Sequence, residues 1–113
     1  MIQIYHNPRC GKSRNCVAFV ETAGKEYEII KYLENSPSTE EIASLLKKLD
    51  CKPMELVRQK EKIWTEKFKN IKMTDEAIIE VLTTYPILIE RPILIKEDKA
   101  IIGRDLDRVA HFI

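Results

Sequence analysis

The sequence of 113 residues predicts an α/β fold, with a β-α-β half, a β-β-α half and a helical insertion between them. Three observations predict this fold. Short β-prone stretches lie near both ends of the chain, a helical rhythm joins the first two of them, and residues 37–85 show only helical patterns. The length is typical of a single domain, so we expect residues 1–113 to form one domain with the insertion at about 37–85.

The first half begins with residues 2–6 (IQIYH), which alternate between apolar and polar positions, and continues to the β-prone stretch 27–33 (YEIIKYL). Val17 and Val20 follow a helical rhythm between these two predicted strands, and Gly24 ends it. This order predicts a β-α-β unit.

The insertion opens with Ser38 and Glu41, whose spacing is typical of a capping box. Pro53 sits at a first-turn position, and Thr74 precedes acidic residues as a helix cap does. The apolar positions at helical spacing in this block are Ile42, Leu45, Leu46, Leu49, Trp64, Phe68, Ile78, Ile79 and Leu82.

The second half contains ILIERPILIK, residues 87–96, which reads as two apolar strand-like runs interrupted by Glu90, Arg91 and Pro92. Residues 97–100 (EDKA) predict a hairpin turn, and Asp105 predicts the cap of a last helix.

Composition excludes some classes of partner. Nineteen basic and eighteen acidic side chains give a net charge of +1, so bulk charge does not indicate a nucleic-acid-binding surface. No stretch approaches the roughly 20 apolar residues of a membrane span, and the N-terminus lacks a basic leader, so we expect a cytoplasmic protein without a membrane partner. Three cysteines without a signal peptide indicate reduced thiols.

Cys10 lies where the first strand has ended and the helix has not begun. The free N–H groups of Gly11, Lys12 and Ser13 could therefore stabilise its thiolate and hold an oxyanion such as phosphate, sulfate or arsenate beside the sulfur. The alternative is a turn cysteine without a task. His6 could favour the thiolate as a cation, or could serve as a neutral hydrogen-bonding ring.

The two other cysteines fit packing better than chemistry. Cys16 lies inside the first helix beside apolar neighbours, although a resolving role stays open, and Cys51 has no partner by sequence. Spacing excludes other motifs, because a Cys-x5-Arg phosphatase loop needs arginine at Cys16 and a Cys-x-x-Cys pair needs cysteine at Ser13. With only two histidines, at opposite ends of the chain, we expect no metal site.

The segments YHNPRCGKSRN, KYLENSPS, LVRQKE, YPILIERPILI and GRD occur in this order along nearly the whole chain, which resembles the glutaredoxin-linked arsenate reductase family. The resemblance implies a thioredoxin-like fold with a helical insertion. It also implies that Cys10 attacks arsenate, that His6 tunes the thiol, and that Pro92 follows a cis peptide bond. Its oxyanion-binding arginines fall on Arg58, Arg91 and Arg104.

The residues themselves support one of these arginines most clearly. Arg91 interrupts ten mostly apolar residues, where a charge is costly unless a ligand or carboxylate satisfies it. Arg58 and Arg104 alone would be typical of solvated positions, as would Arg14 and Arg108.

The expected activity is reduction of arsenate to arsenite, with glutathione as co-substrate, glutaredoxin as protein partner and no bound cofactor. Two alternatives remain open. One is a general glutathione-dependent thiol oxidoreductase, and the other is a redox-sensing transcriptional regulator that binds RNA polymerase, against which Ser13 argues because that sensor uses Cys-x-x-Cys.

Overall fold

A computed structural model describes all residues, 1–113. The chain forms two compact units. Residues 1–34 with 91–113 form the sheet unit, and residues 35–90 form the helical unit, which contains the predicted insertion. In chain order the elements are β1 (Ile2–Tyr5), α1 (Gly11–Thr22), β2 (Tyr27–Ile30), α2 (Thr39–Leu49), a 3-10 helix (Pro53–Leu56), α3 (Lys62–Lys67), α4 (Asp75–Thr84), a second 3-10 helix (Pro86–Leu88), β3 (Ile93–Lys96), β4 (Lys99–Ile102) and α5 (Leu106–Phe112).

The sheet unit contains one four-stranded mixed sheet in the order β2-β1-β3-β4. β1 pairs in parallel with β2 and antiparallel with β3, and β3 pairs antiparallel with β4. The predicted β-α-β and β-β-α halves are confirmed. Six side chains, each at most 4% exposed, make the core beneath the sheet: Ile2, Ile4, Cys16, Val20, Leu94 and Val109.

The helix ends follow the predicted local chemistry. α1 ends in a Schellman arrangement, in which Gly24 has φ 73° and the N–H of Lys25 donates to the carbonyl of Val20. The hydroxyl of Ser38 accepts from the Glu41 N–H while the Glu41 carboxylate accepts from the Ser38 N–H, a complete capping box at α2. Thr74 and Asp105 cap α4 and α5 as predicted.

One predicted strand is shorter than the sequence indicated, and another does not form. β2 ends at Ile30 rather than at residue 33, because the chain turns there and the buried Tyr32 ring stacks on Tyr5 with centroids 5.5 Å apart. In the predicted strand-like run 87–89, Ile87 and Leu88 lie instead in a 3-10 helix that Pro86 begins, and Ile89 makes a single isolated bridge with Val57.

The helical unit buries one apolar face of each longer helix. Its side chains that are at most 3% exposed are Ile42, Leu45, Leu56, Ile78, Leu82, Leu88 and Ile89. None of the helices in the chain combines the length and apolarity needed to cross a membrane.

Candidate active site

Cys10 is the N-cap residue of α1. Its backbone is extended, with φ −96° and ψ 122°, and the helix begins at Gly11. The thiol is half-buried. An N-cap side chain faces the unpaired N–H groups of the first helical turn, which favour a negative charge. Cys10 therefore lies at the start of the helix, where the sequence predicted a reactive thiol.

The pKa of Cys10 is lowered from 9.0 to about 7. Burial acts in the opposite direction and would raise the pKa, but the Ser13 backbone N–H and the guanidinium groups of Arg91 and Arg104 outweigh it. About half of the thiol is therefore ionised near neutral pH, whereas an unperturbed thiol carries only a few per cent thiolate there.

Two arginines from the second half of the chain reach the sulfur. Nη1 of Arg104 lies 3.9 Å from Sγ of Cys10 and donates to the Arg91 carbonyl at 2.9 Å. Arg91 is 8% exposed, and its charge also lowers the Cys10 pKa. The peptide bond from Arg91 to Pro92 is cis. The Arg91 backbone thus holds the second guanidinium at the sulfur.

Gly103 fixes the start of the GRD segment. Its N–H donates to the Pro92 carbonyl at 2.8 Å. A Cβ at this position would collide with Cδ1 of Leu94 and lie 3.3 Å from Sγ of Cys16. Glycine is needed because the chain passes this close to the core before it reaches Arg104.

Ser13 links the loop to the preceding strand. It is fully buried, and its Oγ lies 2.6 Å from Nδ1 of His6 and accepts the Asn7 N–H at 3.0 Å. Burial, and then the Arg14 charge, lower the pKa of His6. A neutral ring is therefore favoured, the second of the two interpretations of His6. Its contact is with Ser13, and its tuning of the thiol stays a prediction.

Two further residues shape this loop through contacts that the sequence did not predict. Asn7 is 3% exposed; its Oδ1 accepts the Arg9 N–H at 3.0 Å and its carbonyl accepts the Cys10 N–H at 3.0 Å. Arg14 was expected to be solvated, but although exposed it reaches back and donates to the Pro8 carbonyl at 2.9 Å. Asparagine before proline is a turn signal, so the sequence indicates the turn at Asn7 but not these contacts.

The remaining predicted binding residues differ in their surroundings. Gly11 and Lys12 are exposed in the first turn of α1. Arg58 belongs to the helical unit, where its Nε lies 3.4 Å from Oε1 of Glu61 and its backbone N–H donates to the Leu88 carbonyl at 2.7 Å. Arg58 is therefore half-buried with a fixed backbone, and is not the solvated side chain that its sequence position alone predicted.

The two other thiols have the opposite electrostatics. Burial raises the pKa of Cys16 to about 11, and this side chain is fully enclosed in the core. Burial and the carboxylates of Glu55 and Asp50 raise the pKa of Cys51. Both therefore stay protonated at neutral pH, in agreement with packing roles.

The chemistry available at Cys10 is that of an ionised thiol beside two guanidinium groups. Guanidinium groups pair with tetrahedral oxyanions through parallel hydrogen bonds, and a thiolate is a strong nucleophile toward an electrophilic centre held there. This combination differs from a redox pair, which needs a second thiol within reach.

Comparisons with known proteins show what the whole chain is similar to. The chain is 33% identical over 110 residues to an arsenate reductase of Neisseria meningitidis, covering 96% of this chain and 94% of that protein. It is 37% identical over 95 residues to an arsenate reductase of Escherichia coli K12, covering 83% and 67%. An arsenate reductase structure from Vibrio cholerae superimposes with a TM-score of 0.93 at 36% identity, covering 99% of this chain and 97% of the other. The ArsC family model matches residues 5–112, and the chain therefore belongs to the ArsC family, with its thioredoxin-like fold.

Proposed function

We propose that this protein reduces arsenate to arsenite, with Cys10 as the nucleophile. The observation that carries the proposal is the N-cap thiol with a pKa of about 7 and the Arg104 guanidinium 3.9 Å from its sulfur. A cysteine kept for packing gains nothing from ionisation or from two arginines. The named relatives act on arsenate, and their similarity selects this oxyanion among the tetrahedral anions that would fit.

In the first step, the Cys10 thiolate attacks arsenic and a sulfur–arsenic bond forms. One arsenate oxygen takes up two protons and leaves as water, and arsenic stays pentavalent. A glutathione thiolate then attacks the Cys10 sulfur. A disulfide forms, the sulfur–arsenic bond breaks, and its electron pair goes to arsenic, which leaves as trivalent arsenite. Glutaredoxin exchanges with the mixed disulfide and returns Cys10 as a thiolate.

The binding residues act on the charge of the anion. Arg91 and Arg104 would hold oxyanion oxygens by charge-assisted hydrogen bonds, and the resemblance adds Arg58 as a third donor. The N–H groups of Gly11, Lys12 and Ser13 would contribute the positive end of the helix.

External thiols supply both electrons because the chain offers no second reactive thiol near Cys10. Cys16 is enclosed in the core and stays protonated at neutral pH, so resolution by it would require helix α1 to open. This favours a mixed disulfide with glutathione, and free thiols of this kind suit the reducing cytoplasm.

The test is a coupled assay that follows NADPH oxidation with arsenate, glutathione, glutaredoxin and glutathione reductase. Arsenate-dependent oxidation that is lost in Cys10→Ser and retained in Cys51→Ser supports the proposal. The same assay with thioredoxin and its reductase identifies the electron donor. Turnover of a small disulfide substrate without any response to arsenate would instead favour the general thiol oxidoreductase.

A further inference from the structure

The loop that presents Cys10 is held by a buried asparagine. Asn7 is 3% exposed, and buried polar side chains are normally hydrogen-bonded because an unpaired group costs free energy. Its Oδ1 accepts the Arg9 N–H at 3.0 Å, which closes an Asx turn over Pro8. The side chain therefore stabilises the turn in the segment that ends at the reactive thiol.

The backbone of the same residue connects to both sides of the site. The Asn7 carbonyl accepts the Cys10 N–H at 3.0 Å, and the Asn7 N–H donates to Oγ of Ser13 at 3.0 Å. One residue thus fixes the N-cap backbone and the third residue of α1, whose own N–H lowers the thiol pKa. Proline at the next position favours the same turn because its φ is fixed.

We propose that Asn7 is a positioning residue for Cys10, whose side-chain acceptor holds the loop so that the sulfur stays against the Ser13 N–H and the Arg104 guanidinium. The inference rests on the proposed function in one respect, that Cys10 is the reacting group. Without the Oδ1 acceptor, Arg9 loses its turn bond and the thiol samples orientations away from these donors. The thiolate is then less stabilised on average.

The test is the pH profile of Cys10 alkylation by iodoacetamide in Asn7→Ala, with folding followed by circular dichroism. Both backbone hydrogen bonds of Asn7 remain possible in this variant, so the change is confined to the side-chain amide, whose Oδ1 is the acceptor of the turn. We expect the midpoint to rise by about one pH unit and the rate at pH 7 to fall about fivefold, as the thiolate fraction drops from about one half to about one tenth.

Two further variants make the result specific. Asn7→Ser keeps a weaker acceptor and should give a midpoint between those of wild type and the alanine variant. Asn15→Ala removes an exposed asparagine from helix α1 itself and should leave the midpoint unchanged.

A folded Asn7→Ala protein with the wild-type midpoint would overturn the proposal, even if its melting temperature fell, because stability alone does not set the thiol pKa. If the alanine variant does not fold, the serine variant decides, and a wild-type midpoint there would overturn the proposal. Alkylation uses no arsenate, so a wild-type protein that fails to reduce arsenate refutes the proposed function while the role of Asn7 is still decided.

Discussion

Replacing Arg104 by alanine should raise the pKa of Cys10 and slow its chemistry more than any exposed arginine does. Nη1 of Arg104 lies 3.9 Å from Sγ, a contact in which a cation stabilises the thiolate form. Hydrogen bonds to charged groups contribute about 1.5 to 3 kcal/mol. Because the thiol is half-buried and partly screened by water, the lower end applies, about 1.5 kcal/mol, or roughly one pKa unit.

This shift predicts two measurable effects. The alkylation midpoint should move from about 7 to about 8, and the iodoacetamide rate at pH 7 should fall about fivefold. Arsenate use should fall further, by about ten- to a hundredfold in kcat/KM, because the alanine also removes a donor to the oxyanion. Arg104→Lys keeps the charge without the planar fork, so it should restore the midpoint better than it restores arsenate use.

The control is Arg108→Ala, which removes an exposed arginine from helix α5 in the same unit. It should change neither the midpoint nor kcat/KM. An alkylation midpoint that is unchanged in folded Arg104→Ala would refute the argument that Arg104 stabilises the thiolate, since the sulfur would then owe its ionisation to the helix start and to Arg91. Protection of Cys10 from alkylation by arsenate, present in wild type and absent in Arg104→Ala, would show the second role separately.

Three other predictions concern the thiols and the core. At pH 7 iodoacetamide should modify Cys10 and leave Cys51 largely unmodified, because the pKa of Cys10 is lowered and the pKa of Cys51 is raised. Equal labelling of the two cysteines in peptide mass spectrometry would contradict this. Between pH 7 and 9, urea unfolding should show wild type gaining about 1 kcal/mol relative to Cys10→Ser, after discounting for solvent exposure, because the folded Cys10 thiol has lost its proton while the unfolded thiol still holds one. The raised pKa values of Cys16 and Cys51 act in the opposite direction in both proteins and cancel in this difference, so equal pH slopes in the two proteins would argue against the lowered pKa of Cys10. Gly103→Ala should lower the free energy of unfolding by about 1 to 3 kcal/mol by crowding Leu94. Gly11→Ala should be nearly neutral, because its Cβ would meet no atom closer than 3.7 Å. Equal melting temperatures for the two variants would disprove the close-packing argument.

Elements set by local chemistry were predictable from the sequence. The capping box of Ser38 and Glu41, the cap at Thr74 and the glycine end of α1 each depend on residues within a few positions of one another. Elements that depend on contacts with distant residues were not predictable from the sequence. Residues 87–89 have the composition of a strand, yet Pro86 begins a 3-10 turn and the bridge from Ile89 to Val57 depends on a segment 32 positions away.

The same distinction holds at the candidate site. The helix start at Cys10 is visible in the sequence because the strand pattern has ended there and the helical pattern has not begun. Arg91 is visible because a charge is costly among apolar residues. The turn at Asn7 is indicated by the proline that follows it, but the bond of Asn7 to Ser13 is not visible, since it exists only when the loop folds back on the helix. The bond of the exposed Arg14 side chain is not visible for the same reason, because its acceptor, the Pro8 carbonyl, lies in the turn before the helix.

The arginines of the sheet unit meet the thiol because of strand register. Tyr5 of β1 pairs with Ile93 of β3, and Ile93 pairs with Ile102 of β4. The antiparallel pairing of β3 with its two neighbours therefore places the end of β1, the start of β3 and the end of β4 at one edge of the sheet. The loop that follows β1 carries Cys10, the residues before β3 include Arg91, and Arg104 follows β4 by two positions. A one-residue slip would turn the side chains of a strand to the opposite face, so the hydrophobic core that fixes the register also holds the charges at the sulfur.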